Sequence, residues 1–275
     1  MNAFPPDWLT PDWPAPPGVR ALCTTRAGGA SRPPYDSFNL GDHVGDDPLA
    51  VRSNRAALQG ALQARPVFLQ QVHGTQVLTL RGDEPDGSVA DGCVTTRRGL
   101  ACTIMVADCL PVLLAHRSGR LVGAAHAGWR GLAGATGPQH AAWAGDGILE
   151  QIFRRFMALA PVDTGDAAIK SIANEVVVWL GPCIGPEAFE VGPEVKAAFE
   201  AHDAQAAAMF RPHTPGKWLA NLPGLARQRL AALGVTQVYG NDGSAGWCTV
   251  ANASRFFSHR RDRVSGRLAA CVWLA

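Results

Sequence analysis

The chain has little charge: Asp, Glu, Lys and Arg make up 17% of its 275 residues, against about a quarter in an average globular protein. Its 25 basic and 23 acidic residues leave a formal net charge of +2 and lie scattered along the chain. Without a basic stripe or an acidic tail, nucleic acid is not an expected partner. No apolar run reaches the ~20 residues that a membrane helix needs. The stretch from Thr103 to Ala115 is broken by Asp108 and Pro111, so no membrane association is expected either. The Pro-rich segment 1–18 lacks a basic region followed by an apolar one, so no targeting signal is read there and cytoplasmic residence is the expectation. No CxxC pair occurs among the seven cysteines, Cys23, Cys93, Cys102, Cys109, Cys183, Cys248 and Cys271. A chain of this size does not need disulfide staples, and an odd number leaves at least one thiol free in a monomer.

What is present is a globular composition, with 47% hydrophobic residues, 30 Gly and 20 Pro. No repeat or low-complexity linker divides it, so a single domain over 1–275, with a Pro-rich N-terminal segment, is predicted. Strands are predicted at Gly18 to Thr25, Val67 to Leu69, Val77 to Leu80, Leu100 to Val106, Pro111 to Ala115, Leu121 to Ala125, Val176 to Leu180, Val235 to Tyr239 and Leu268 to Trp273. Asp46-Asp47-Pro48 is a helix start, and Leu49 to Leu62 has helical spacing. Further helices are predicted between Gly145 and Leu159, at Pro193 to Ala201 and at Leu222 to Leu233. Helices and strands mix without strict βαβ alternation, which favours an α+β fold.

One hairpin carries a geometric inference. If Ser118-Gly119 is the centre of a tight turn, Pro111 pairs with His126 and Cys109 falls opposite Gly128. Side chains alternate with period two, so Cys109 and His126 share a face as diagonal neighbours about 7–8 Å apart at the backbone. Pro111 has no N–H to donate, which predicts an edge or a bulge there. His73, beside Gly74, is a candidate third ligand. Three N/S donors leave a tetrahedral ion one open position, the catalytic arrangement. Spacing alone matches no local metal motif, and packed or solvated roles for these residues stay open. Asp108 is a candidate to orient a ligand or accept a proton; a hydrogen bond to nearby backbone is its plainer role.

The runs Gln71-Val72-His73-Gly74, Ala107-Asp108-Cys109-Leu110-Pro111-Val112 and His126-Ala127-Gly128-Trp129-Arg130-Gly131 resemble signature blocks of the YfiH/YlmD-like laccase-domain family. Thr25-Arg26, Ser37-Phe38-Asn39-Leu40-Gly41, the Gly181-to-Pro186 turn and Phe256-to-Asp262 agree with it. The resemblance implies a mixed-sheet sandwich of YfiH-like type with helices on its outer faces, and a metal held by His73, Cys109 and His126. It implies zinc-supported chemistry on a small molecule: phosphorolysis of adenosine, inosine, guanosine and methylthioadenosine, and adenosine deamination. Cys109, His126 and Asp108 would then be catalytic. Gln71 and Asn39 would contact substrate, while Arg26 and Arg130, each beside glycines, would hold phosphate or ribose.

Alternatives remain at this point. They are a copper-dependent polyphenol oxidoreductase on the same ligands, a Cys-His hydrolase, and a metal-stabilised factor editing peptidoglycan precursors. A conventional laccase does not fit, because the eight histidines include no His-x-His pair. Nothing in the sequence demands an oligomer. The sequence departs from the family pattern in a longer 135–146 link, in Val106 where Thr is common, and in Asn221 where Asp is common before the helix.

Overall fold

The computed structural model describes residues 5–134, 145–160 and 173–275. The main strands of the two large sheets are mostly apolar, as expected for strands buried on both faces. Leu100–Val106 (β7), Leu110–His116 (β8), Val176–Leu180 (β10) and Leu268–Leu274 (β15) are buried at every residue. With Val19–Cys23 (β1) and Arg65–Val67 (β2), β15 and β7 form a four-stranded sheet in the order β1-β15-β7-β2. The second sheet runs β14-β10-β8-β9-β6-β4 and adds Val77–Thr79 (β4), Gly92–Thr95 (β6), Val122–Ala127 (β9) and Val238–Gly240 (β14). Two small sheets complete the set. One pairs Leu69–Gln70 (β3) with Ser88–Val89 (β5); the other joins Glu190–Val191 (β11), Phe210–Pro212 (β12) and Trp218–Ala220 (β13).

Alternation along each strand sorts its side chains into two cores. From β7, Cys102, Ile104 and Val106 enter the core between the sheets, together with Leu113 and Ala115 of β8 and Ala270 and Val272 of β15. The opposite parity, Ala101, Met105, Ala269 and Cys271, meets helix Pro48–Leu62 (α1) on the outer face through Leu58 and Leu62. On the other side, Val112 and Leu114 of β8 and Val178 of β10 meet helices Ile148–Leu159 (α3) and Leu222–Ala232 (α5). Short helices Trp129–Ala133 (α2), Pro193–Glu200 (α4) and His259–Asp262 (α6) complete the shell. The expected α+β sandwich with helices on its outer faces is therefore what the chain forms. A fully buried Leu, Ile or Phe contributes about 1.5–3 kcal/mol, so Ile152 and Phe156 of α3, both fully buried, anchor that helix.

Capping follows the sequence. Asp47 accepts the Leu49 N–H at the start of α1, with Pro48 in the first turn, and Asn221 accepts the Gly224 N–H at the start of α5.

Three expectations need correction. The hairpin register is as predicted, with Pro111 opposite His126. Its closing pair, however, is His116 with Leu121, so the loop has four residues and not two. Both loops share one centre, so the register is unaffected. Pro111 lies in an interior strand and at no edge. Its carbonyl accepts the Gly181 N–H just beyond the end of β10, so its missing N–H faces the point where the neighbouring strand departs. The Gly181 carbonyl on that side is satisfied by the Asn241 side chain instead. Finally, the strand at Val235 to Tyr239 shrinks to Val238–Gly240, because residues 236–238 form a tight turn, Val238 N–H to the Thr236 carbonyl. The 135–146 link falls almost wholly outside the described residues.

Candidate metal centre and cavity

The site is assembled around one carboxylate. Asp91, fully buried just before β6, accepts the N–H groups of Val72 (3.2 Å), His73 (2.9 Å) and Gly74 (2.7 Å). The same group holds Nδ1 of His126 at 2.8 Å, and the Asp91 carbonyl accepts the His126 N–H. It thus fixes the loop that carries His73 and the ring of His126 together. A donating Nδ1–H leaves Nε2 of His126 free to face the site, the arrangement typical of a metal-ligating histidine.

Cys109 precedes β8 and stands two residues before Pro111, on the face of the sheet that carries His126. Its Sγ lies 3.6 Å from Nε2 of His73, and the two imidazole rings cross at 70° with centroids 4.8 Å apart. The ligand atoms of His73, Cys109 and His126 all lie within 4.8 Å of one another. Bond lengths of about 2.3 Å for Zn–S and 2.05 Å for Zn–N set donors about 3.5 Å apart in a tetrahedron, so the Cys109–His73 separation fits such an ion. Two glycines make room. A Cβ at Gly128 would sit 2.8 Å from Cδ2 of His73 and 3.1 Å from Sγ of Cys109; one at Gly131 would sit 2.6 Å from the Gly74 carbonyl oxygen.

Electrostatics agree with a ligand thiolate. Burial alone would raise the Cys109 thiol, but the neighbouring imidazoles, His126 foremost, bring it down to about 6. Burial likewise opposes the charge on His126; Cys109 and Asp91 overcome it and raise the ring to about 9. Burial disfavours the Asp91 carboxylate, and its bond to His126 more than compensates, so its pKa is lowered. Cys23, Cys102, Cys183 and Cys271 are all pushed upward by burial, Cys271 to about 12. Among these five thiols only Cys109 is activated.

The three ligands line a cavity of about 410 Å³, a size typical of small-molecule sites. Trp129, Ile184, Phe189 and Leu222 give it an apolar wall, and Arg260, Arg263 and Arg267 a cationic one. Three of the four non-glycine residues with positive φ among the described residues line it, namely His73 (61°), Asp108 (89°) and Arg263 (62°).

Of the other residues singled out in the sequence, Gln71 and Asp108 line the cavity. The Gln71 amide donates to the Met105 carbonyl and accepts the Met105 N–H, tying the His73 loop to β7. Asp108 accepts from Thr249 Oγ1 and from the Arg260 N–H, both at 2.6 Å. Arg26, Asn39 and Arg130 do not line the cavity. Arg26 donates to the Asp36 and Ala253 carbonyls and stacks on Phe257. Asn39 is buried and accepts the N–H groups of Gly41 and Arg267. Arg130 stacks on Trp129. Sequence reasoning missed Asp91, whose only local signal is an acid amid the small residues Ala90-Asp91-Gly92, and the arginines after Ser258.

The model of a family described as multi-copper polyphenol oxidoreductase laccase matches residues 20–275. A protein named purine nucleoside phosphorylase from Pseudomonas aeruginosa is 48% identical, covering 100% of this chain and 99% of the relative. The purine nucleoside phosphorylase YfiH of Escherichia coli is 45% identical over 97% of this chain and 98% of its own. Among solved structures, a Neisseria meningitidis protein superposes with a TM-score of 0.83 at 41% identity, covering 98% of this chain and 99% of that one. YlmD from Geobacillus stearothermophilus gives 0.82 at 29% identity, covering 99% and 98%.

Proposed function

Because the chain belongs to the multi-copper polyphenol oxidoreductase laccase family, yet brings together a single His/Cys ligand group among its described residues, we propose that it is a zinc-dependent purine nucleoside phosphorylase. The observation that carries this reading is the convergence of His73, Cys109 and His126 on one wall of the cavity, beside an apolar wall suited to a purine. Relatives that cover the whole chain and are named for that activity support it. Adenosine, inosine, guanosine and methylthioadenosine are the proposed substrates, with adenosine deamination as a second activity and the cytoplasm as the location.

In phosphorolysis a phosphate oxygen forms a bond to C1′ of the ribose as the C1′–N9 bond breaks, and the electron pair leaves with the purine. The chain's own contribution is placement. Trp129, Ile184, Phe189 and Leu222 take the flat base out of water. Asp91 holds His126 and the His73 loop in one geometry. We assign Gln71 and Asp108 positioning roles, since their polar atoms already bind the backbone of Met105, Thr249 Oγ1 and the Arg260 N–H. An ion held by His73, Cys109 and His126 supplies a Lewis acid and an acidified water.

Zinc is the proposed ion because mixed His and Cys donors with one position left open are typical of its catalytic sites. A second reading, Cys109 as a nucleophile paired with His126, rests on the activated thiol and predicts chelator-resistant turnover.

Elemental analysis of protein purified without added metal, paired with an assay of hypoxanthine release from inosine and phosphate, tests the proposal. Zinc near one equivalent and loss of both metal and turnover in Cys109→Ala are expected. Full turnover by the metal-free protein would overturn it.

A further inference from the structure

The charged lining of the cavity is mostly cationic: Arg260, Arg263 and Arg267 line it, and Asp108 is the one acidic residue among the described lining side chains. Both Asp108 oxygens accept hydrogen bonds from neutral donors, and the three guanidinium groups outnumber that single carboxylate. Arg267 bonds the Ser265 and Gly266 carbonyls through one terminal nitrogen, and among the described residues its Nε and other terminal nitrogen have no hydrogen-bond partner. Arg260 bonds the Glu190 carbonyl through one terminal nitrogen and stacks on Phe189 of the apolar wall. Among the described residues the Arg263 side chain has no hydrogen-bond or ion-pair partner, and it is exposed.

The backbone at Arg263 is unusual. Its φ of 62° and ψ of −57°, with the Val264 N–H donating to the Asp262 carbonyl at 2.7 Å, describe the strained form of the γ-turn. Glycine would adopt it without steric cost. An arginine holds the place, and its free guanidinium borders the cavity.

We infer that Arg263, with Arg267 and Arg260, forms a phosphoryl-oxyanion subsite in the cavity that the metal ligands also line. Guanidinium groups bind tetrahedral oxyanions through paired N–H donors, and three of them with unused donors suit a dianion. Stacking of Arg260 on Phe189 joins the anion wall to the apolar one, so a base and an oxyanion can be held side by side. Arg26 and Arg130, which sequence favoured for this role, lie outside the cavity.

This subsite rests on the phosphorylase reading for its use, but not for its existence. Two sources share the chemistry: inorganic phosphate as co-substrate, or the phosphoryl group of a nucleotide. The test uses the full chain loaded with zinc and the variant Arg263→Gly, which removes the guanidinium and suits the γ-turn. The wild type is expected to bind inorganic phosphate by calorimetry. In Arg263→Gly the KM for phosphate should rise at least tenfold with the KM for inosine within about twofold, and the melting temperature should not fall. Arg267→Gln should act in the same direction. An unchanged phosphate KM, or equal increases for phosphate and inosine, would overturn the subsite. Absence of phosphorolysis with phosphate binding that is lost in Arg263→Gly would keep the subsite and refute the phosphorylase reading. Inosine 5′-monophosphate binding at least tenfold tighter than inosine, with the difference erased in Arg263→Gly, would assign the subsite to a nucleotide.

Discussion

Asp91→Asn is the sharpest perturbation the site offers, because the substitution keeps shape and changes hydrogen-bond polarity. The carboxylate accepts from four donors, the N–H groups of Val72, His73 and Gly74 and Nδ1 of His126. An amide presents one oxygen and one NH₂, so two of the four donors would face another donor. A buried donor left unpaired costs about 1–3 kcal/mol, giving roughly 2–6 kcal/mol in the metal-free protein, a large share of the 5–15 kcal/mol typical of a domain. Loss of the partner to a ligating histidine lowers metal affinity about 10–100-fold, or roughly 1.4–2.7 kcal/mol. The pH dependence has a defined sign. His126 is raised to about 9 from 6.5, so its contribution is full below 6.5 and is lost as pH rises through 9. Asp91 is lowered from 3.8, so its contribution is present above 3.8 and is lost as pH falls through its depressed value. The stability gap between wild type and variant should therefore be widest between these limits and narrow on either side. Urea unfolding of metal-free protein across that range, and zinc competition against a chromophoric chelator, measure both quantities. An unchanged unfolding midpoint together with zinc affinity within twofold would refute the account of Asp91.

Gly128→Ala should weaken zinc binding by more than tenfold, since the added methyl would lie 2.8 Å from the His73 ring; a dissociation constant from the same chelator competition checks it. In metal-free protein, iodoacetamide should label Cys109 first. Its rate should be half-maximal near pH 6, rise above that pH as the thiolate forms and fall below it, as mass spectrometry of a pH series would show. Arg229→Met removes one partner of the buried pair between α5 and Glu150 of α3 and leaves an uncompensated carboxylate, so a loss of about 3–5 kcal/mol is expected in chemical denaturation.

The hairpin was legible in the sequence because period-two alternation and a turn signal fix which residues face each other, and Cys109 and His126 followed from that register. Asp91 was not, because its four partners are set by the packing of β6 against the His73 loop and β9, well apart along the chain. Gly92–Thr95 was passed over as a strand for a similar reason: four small residues acquire their extended form from β9 and β4 on either side. Arginines beside glycines suggested an anion site at Arg26 and Arg130, yet tight turns also expose carbonyls, and Arg26 is taken up by two carbonyls and the Asp36 carboxylate. Pro111 misled because the rule against interior proline assumes a neighbour at every position, and β10 ends beside it.

The three non-glycine residues with positive φ around the cavity bear on how this protein can be engineered or can drift. A non-glycine residue held in such a conformation costs about 1–3 kcal/mol, and glycine at His73 or Arg263 would recover part of it, whereas at Asp108 it would give up the hydrogen bonds from Thr249 and Arg260. Selection on thermal robustness alone would therefore favour glycine at His73 and Arg263, yielding hardier and inert descendants. A screen for heat-tolerant variants needs a metal-retention readout beside the melting curve. Within the family, a homologue with glycine at both of these positions can be recognised as one that has kept the sandwich and given up the chemistry.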